Sequence, residues 1–310
     1  MKPRVYIDGQ AGTTGLQIFQ RLSKRTDIEL LAIAQDQRHE EKERKRLMNA
    51  ADLVFLCLPD AAAIAAIDMI DNPHTKVIDA STAHRCDDAW AYGFIELGEP
   101  FAKGVRQSLR IANPGCHASG FIAIVYPLIQ QGILKVSDTI SAFSLTGYSG
   151  GGKRMIADYE GNADRALQAP QLYGLQLRHK HLPEMKKICS LSKDPLFCPI
   201  VDDYYCGMAT SILLEQNVRE VHTALADFYK DKKGLVHVAP LGHEGNISAN
   251  AYAGWDDLVL IVCGREEQTI VTALFDNLGK GACGAAIQNM NIALGLDAMA
   301  GLRTESGEWK

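Results

Sequence analysis

The 310 residues, 47% hydrophobic and 22% charged with a formal net charge of -5, are enough to bury a sizeable core and, by ordinary domain sizes, to form two domains. Mixed charge of this sign leaves no basic footprint for nucleic acid, and the chain shows neither an apolar signal core at MKPRVYIDG nor an apolar run near the roughly 20 residues that span a bilayer. The expectation is a cytoplasmic protein with no nucleic-acid or membrane partner, whose 8 cysteines form no CxxC and no zinc-finger spacing and are read as reduced thiols with no metal site.

Val5, Tyr6, Ile7 and Asp8 form a short apolar run that stops at Gly9, after which Leu16, Ile18, Phe19 and Leu22 recur at helical spacing. The turn between them reads GQAGTTG. Gly9, Gly12 and Gly15 stand three apart, a GxxGxxG relative of the dinucleotide fingerprint, with Thr13 and Thr14 opening the helix. Glycines let the backbone turn sharply toward a pyrophosphate, while the helix N-terminus offers N–H groups and positive potential. The same pattern also serves as a plain structural turn. Its context favours a nucleotide, because strand-like runs recur at 29–34, 53–58 and 77–80 with helix-like segments at 40–50 and 61–70 between them.

After the second strand-like run, AQDQRHEEKERKR carries both Asp36, suited to a ribose hydroxyl, and Arg38, suited to a 2′-phosphate. Arg38, with the basic residues behind it, favours NADP, although a charged helix face in water has the same composition. LPDAAA places Pro59 after a third strand, and DASTAHR places Ser81, Thr82 and Arg85 after a fourth. Both lie at the carboxyl edge of a doubly wound sheet, where ligands bind. Ordinary turn chemistry accounts for the hydroxyls equally well, whereas Arg85 suits an anionic substrate.

In ANPGCHASG a single cysteine, Cys116, follows Pro114 and Gly115 at the first turn of an apolar helix. A helix N-terminus favours thiolate over thiol, and a buried core cysteine is the competing reading. Beyond residue 117, strand-like segments at 139–145, 197–205, 209–215 and 258–263 indicate a second, mainly antiparallel domain. Within it, GYSGGGKRM brings Ser149, Lys153 and Arg154 to a glycine-rich loop able to form an anion-binding concavity. LRHKHLPEM puts His179 and His181 two apart before Pro183. An extended segment there turns both rings to one face, where either can act as acid/base. A flexible surface turn and a solvated basic turn are the respective alternatives.

GQAGTTG, DASTAHR, ANPGCHASG, HKHLPE and GAAIQNMNIALGL together resemble the N-acetyl-γ-glutamyl-phosphate reductases of the shorter type 2 form, in order from residue 9 to about 296. The resemblance implies an α/β fold shared with aspartate-semialdehyde dehydrogenase. A Rossmann-type NADP-binding domain (1–113) is followed by an α+β catalytic and dimerisation domain (114–282), and a C-terminal helix (283–310) returns to the cofactor domain. It further implies an NADP(H)-dependent oxidoreductase of arginine biosynthesis, acting on a small-molecule acyl phosphate as a homo-oligomer, dimer or tetramer. Cys116 is then the nucleophile and His181 the acid/base, with His179 the competing assignment. Gly9, Gly12, Thr13, Thr14, Gly15, Arg38, Pro59, Ser81 and Asn289 hold the cofactor, and Gln288 faces its nicotinamide side. Arg85, Asn113, Ser149, Lys153, Arg154 and His179 serve the substrate, Asn113 and the Cys116 N–H by supporting an oxyanion. The loop GYSGGGKRM departs from the SGxSGAGR of the longer form, which leaves the division of work between Lys153 and Arg154 open.

Overall fold

The computed structural model describes residues 2–161, 164–230 and 234–304. The chain divides into two units, one made of residues up to 95, 99–114 and 282–302, the other of 96–98, 115–281 and the tail from 303.

The first unit alternates strand and helix: β1 (Arg4–Asp8), α1 (Thr13–Leu22), β2 (Glu29–Leu31), α2 (Glu41–Ala50), β3 (Leu53–Leu56), α3 (Asp60–Ile67), β4 (Lys76–Asp79), β5 (Ala91–Tyr92), α4 (Glu99–Gln107) and β6 (Arg110–Ala112). The strands form one sheet in the order β2-β1-β3-β4-β6-β5, and every pairing is parallel. Alternate residues explain how both faces are covered. Val5, Ile7, Leu53, Phe55 and Ile78 join one core cluster, while Tyr6, Val54, Leu56 and Val77 join another, as the period of two requires. Strand β2 stops at Leu31 and does not run to Ala34 as its apolar residues suggest.

The second unit begins with α5 (Cys116–Gln130) and continues through β7 (Ser141–Gly147), α6 (Gly152–Gly161), β8 (Gln171–Leu172), α7 (Leu182–Ile188), β9 (Leu196–Asp202), β10 (Met208–Leu214), α8 (Val218–Tyr229), β11 (Val236–Val238), β12 (Leu258–Arg265) and β13 (Gln268–Phe275). Its sheet has the order β11-β12-β13-β10-β7-β9-β8. Neighbours are antiparallel except for β11 with β12 and β7 with β9. Helix α5 is buried nearly all round. It lies so close to the sheet that a Cβ on Gly120 would stand 2.6 Å from the Thr210 hydroxyl. Finally α9 (Gly284–Ala293) rejoins the first unit, where Ile287 and Met290 pack into the cluster with Val5 and Ile7. Arg25 Nη1 donates to Asn291 Oδ1 at 2.6 Å and adds a polar tie. The part of the expected C-terminal segment beyond Thr304 lies outside the described residues.

Candidate active site

In the second unit the site is built around the start of α5. Gly115 is its N-cap, no side chain caps the helix, and Cys116 at its first position is half-buried. The Gly115 N–H itself donates to Glu184 Oε1 at 2.9 Å. Glu184 is buried in the first turn of α7, with Pro183 just ahead of it at the position where a missing N–H costs the helix nothing. Behind Cys116 the chain is equally constrained. A Cβ on Gly281 would stand 2.9 Å from the Cys116 Cβ, so only a residue without a side chain fits there. Among the remaining thiols, burial pushes Cys57 and Cys189 up, and burial with the neighbouring Asp276 carboxylate pushes Cys206 up to about 12.

His179 and His181 do converge, though not by the strand geometry expected for them. The segment is a turn, with the Leu182 N–H on the His179 carbonyl at 3.0 Å and His181 in a helical conformation as N-cap of α7. The two ring centroids are 4.8 Å apart, and each packs on His117, at 5.2 and 5.8 Å. Turn formation wins because Pro183 stiffens the helix start and the aromatic cluster, which includes Phe197, buries His181 and half-buries His179. His179 Nδ1 accepts the His181 backbone N–H at 3.2 Å. Burial, aided by Lys180, pushes His179 down to about 4, so near neutrality it is an uncharged ring whose single hydrogen sits on Nε2.

In the first unit, Gly9 has a φ of 82°, and a Cβ there would stand 2.3 Å from the Cys57 carbonyl oxygen. At Gly15 a Cβ would stand 2.5 Å from the Gly9 carbonyl oxygen. Both positions therefore require glycine. Gly12 caps α1 with no side-chain hydrogen bond, and Thr13 and Thr14 begin its first turn, so the backbone forms a cradle that a side chain would fill. That cradle fits a dinucleotide phosphate. At the next strand ends, Pro59 is exposed as N-cap of α3. Ser81 is held by Asp79 through its N–H at 2.9 Å and its hydroxyl at 2.7 Å. Arg38 is exposed, and its Nε donates to His39 at 3.2 Å.

Asn113 is tied into the first unit through its side-chain amide. Its amide nitrogen donates to the Ala282 carbonyl at 3.0 Å, and its Oδ1 accepts from Asn289 at 3.1 Å. The amide oxygen and one of the two amide hydrogens are thus held inside the first unit. Arg85, also buried, donates to the Asn113 and Ala80 carbonyls. Asn289 is fully buried, gives its nitrogen to Gly93 and Asn113, and leaves Oδ1 with no hydrogen-bond partner. An orphaned buried acceptor of this kind fits an amide donor from a bound cofactor. The neighbouring Gln288 is buried as well.

Over 309 residues, 96% of this chain and 100% of that protein, the sequence is 43% identical to the N-acetyl-gamma-glutamyl-phosphate reductase of Mesorhizobium japonicum. The chain belongs to that reductase family. The N-acetyl-gamma-glutamyl-phosphate reductase 2 of Nostoc sp. is 41% identical over 321 residues, 97% of this chain and 99% of its own. Residues 4–102 match the family described as semialdehyde dehydrogenase, NAD binding domain, and residues 116–277 the semialdehyde dehydrogenase dimerisation domain. Aspartate semialdehyde dehydrogenase II of Vibrio cholerae shares the fold, with a TM-score of 0.71 at 16% identity over 95% of this chain and 98% of that one. The Candida albicans aspartate semialdehyde dehydrogenase solved with NADP gives 0.67 at 15% identity, covering 94% and 98%.

In this reductase chain, Ser149 turns inward, accepting from Asn277 Nδ2 at 3.0 Å. Lys153 and Arg154 are exposed in the first turn of α6 and make no hydrogen bond or ion pair among the described residues. Sequence reasoning missed several groups. Glu184 was visible only as the last letter of HKHLPE, and Gly281 had no signal. Arg44, which grips Asp8 bidentately at 3.1 and 2.7 Å at the end of β1, was hidden in a basic run.

Proposed function

We propose that this chain is an NADPH-dependent N-acetyl-γ-glutamyl-phosphate reductase, forming N-acetylglutamate semialdehyde by reductive dephosphorylation in arginine biosynthesis. The observation that carries the reading is the Gly115–Glu184 hydrogen bond. It joins the cysteine block to the histidine block at one helix start, so that a nucleophile and an acid/base share a site.

Cys116 attacks the acyl carbon as a thiolate, the carbon–oxygen bond to phosphate breaks, phosphate departs, and a thioester remains on Sγ. A bound reduced nicotinamide supplies one hydride to that carbon. His181 gives a proton to the former carbonyl oxygen as it gains charge. It takes the proton back as the carbon–sulfur bond breaks, releasing aldehyde and restoring the thiolate. His179, neutral and donating only through Nε2, suits substrate orientation. Gly9, Gly12, Thr13, Thr14 and Gly15 cradle the pyrophosphate, Pro59, Ser81 and Asn289 flank the rest of the cofactor, and Arg38 selects the 2′-phosphate. Arg85, Lys153 and Arg154 are the cations for the substrate's phosphate and carboxylates.

The active form is a homo-oligomer, a dimer or tetramer. The seven-stranded sheet supports this, because Leu172, Leu196 and Leu213 are exposed on one face, where register pairs Leu172 with Ile200 and Leu213 with Ile270 and sets Leu196 opposite Ser141. A second copy covering that face removes apolar surface from water. The chemistry belongs in the cytoplasm, where a thiolate stays reduced; no described helix is long and apolar enough to cross a membrane.

The test is phosphate-dependent reduction of NADP by N-acetylglutamate semialdehyde, followed by absorbance. Turnover of aspartate semialdehyde with none of the acetylated substrate would replace this reading by the aspartate-semialdehyde dehydrogenase alternative.

A further inference from the structure

His117 lies one position beyond the nucleophile and belongs to none of the steps above, yet it anchors a chain of side-chain hydrogen bonds. Its Nδ1 is 2.8 Å from Ser144 Oγ, and its Nε2 is 2.7 Å from the Tyr173 phenol oxygen. Ser144 Oγ is in turn 2.7 Å from Thr210 Oγ1, across the register pair that joins β7 and β10. Gly120, one helical turn along from His117, brings α5 close enough to the sheet for this reach.

The chain can run in only one direction without loss. Burial pushes His117 down to about 3, so the imidazole is neutral, with one N–H and one lone pair. If Tyr173 donated to Nε2, His117 would donate to Ser144 and Ser144 to Thr210. The Thr210 hydroxyl hydrogen would then have no acceptor among the described residues, at a fully buried position. A hydrogen bond left unmade there carries the full desolvation penalty of the hydroxyl. In the opposite direction Thr210 donates to Ser144, Ser144 to Nδ1, and Nε2–H to the Tyr173 oxygen. Every buried hydrogen is used, and the one left over is the Tyr173 phenol hydrogen. Tyr173 is half-buried, with its ring 5.9 Å from that of His179. Burial, with the charge of Cys116 close enough to add to it, raises the phenol well above its usual range. It remains an O–H donor throughout the working pH range.

We propose that Tyr173 is a catalytic residue that donates its phenol hydrogen to the acyl oxygen of the Cys116-bound substrate, and that Thr210, Ser144 and His117 are positioning residues that keep the phenol in the donating orientation. This rests on Cys116 being the nucleophile. The donated bond strengthens as the oxygen gains negative charge on thiolate attack and again on hydride transfer, so it acts mainly on the rate.

Tyr173→Phe in the full-length protein tests it. The expected result is a fall in kcat of about 100- to 1000-fold, the usual loss for one oxyanion donor. KM should change little, and alkylation of Cys116 by iodoacetamide should stay within about threefold of the parent rate. Ser144→Ala leaves Tyr173 in place but removes the bias on its direction. It should lose an intermediate factor, and in the Tyr173→Phe background it should lose nothing more, because the two act through one bond. A Tyr173→Phe enzyme within about threefold of the parent kcat overturns the proposal. Should Tyr173→Phe fail to fold, Ser144→Ala decides: a parental kcat there contradicts the chain. Activity surviving in Cys116→Ser would instead remove the nucleophile reading, an outcome distinct from both.

Discussion

The two units offer chemistry in different currencies. In the parallel-sheet unit the groups presented at the strand ends are mainly backbone: the Gly9 to Gly15 turn and the uncapped first turn of α1. Its charged side chains are largely tied to one another, as in the Asp8–Arg44 pair. In the mixed-sheet unit the presented groups are side chains, namely Cys116, His179, His181 and Tyr173, all packed around His117 or next to it in sequence. A backbone cradle is indifferent to the side chains around it but intolerant of added atoms, whereas a side-chain cluster tolerates neighbours and depends on each member's protonation. Substitutions in the two units should therefore fail in different ways: loss of cofactor binding in one, and loss of rate with binding intact in the other.

The largest effect is expected at Cys116. Cys116→Ser should lower turnover by at least about three decades while NADPH affinity stays within about twofold, since a serine hydroxyl has no low-pKa anion to offer. A parallel loss of cofactor binding would erase the contrast between the units. His181→Asn comes next, with a fall of about two to four decades in kcat and a smaller change in KM, whereas His179→Asn should act mainly on KM. Steady-state kinetics with pH profiles check this, and loss of the neutral-pH inflection in His179→Asn alone would exchange the two assignments.

On the other side of the comparison, Arg38→Ala should weaken NADPH more than NADH, by on the order of 1.5–3 kcal/mol or one to two decades. Equal weakening of both cofactors, measured by fluorescence titration, would mean that Arg38 does not read the 2′-phosphate. The smallest effect is on stability. His117 titrates near 6.5 when unfolded and near 3 when folded, so between those values the unfolded chain binds more protons. The contribution is whole above pH 6.5 and is lost as pH falls. Between pH 6.5 and 5 the loss is about 2 kcal/mol, and His179, depressed to about 4, adds in the same direction. Thermal unfolding of His117→Gln should show a shallower decline over that range than the parent.

What could be read from sequence tracks the same division. GQAGTTG is legible because its conformation is decided within seven consecutive residues by turn sterics, and the strands around it by a period of two. Cys116 is legible because Pro114, Gly115 and an apolar run mark a helix start locally. The Gly115–Glu184 bond joins positions 69 apart, Ser144 to Thr210 spans 66, and Tyr173 to His117 spans 56. No local pattern encodes such partners, which is why His117 and Tyr173 went unnoticed. Asn113, the first residue of NPGC, likewise has partners that no local pattern encodes, because its amide meets Asn289 and Ala282, 176 and 169 positions away. The extended reading of HKHLPE failed because spacing cannot distinguish a strand from a turn when both bring positions two apart together.

Whether Cys116 carries the acyl group is decided most directly by withholding the reductant. The protein is mixed with N-acetyl-γ-glutamyl phosphate in the absence of NADPH, quenched in acid, digested and mapped by mass spectrometry. One N-acetylglutamyl group is expected on the peptide containing Cys116, discharged as aldehyde when NADPH is added before the quench. Acylation of another cysteine, or aldehyde formation on NADPH addition with no acyl group ever found on Cys116, would contradict this expectation.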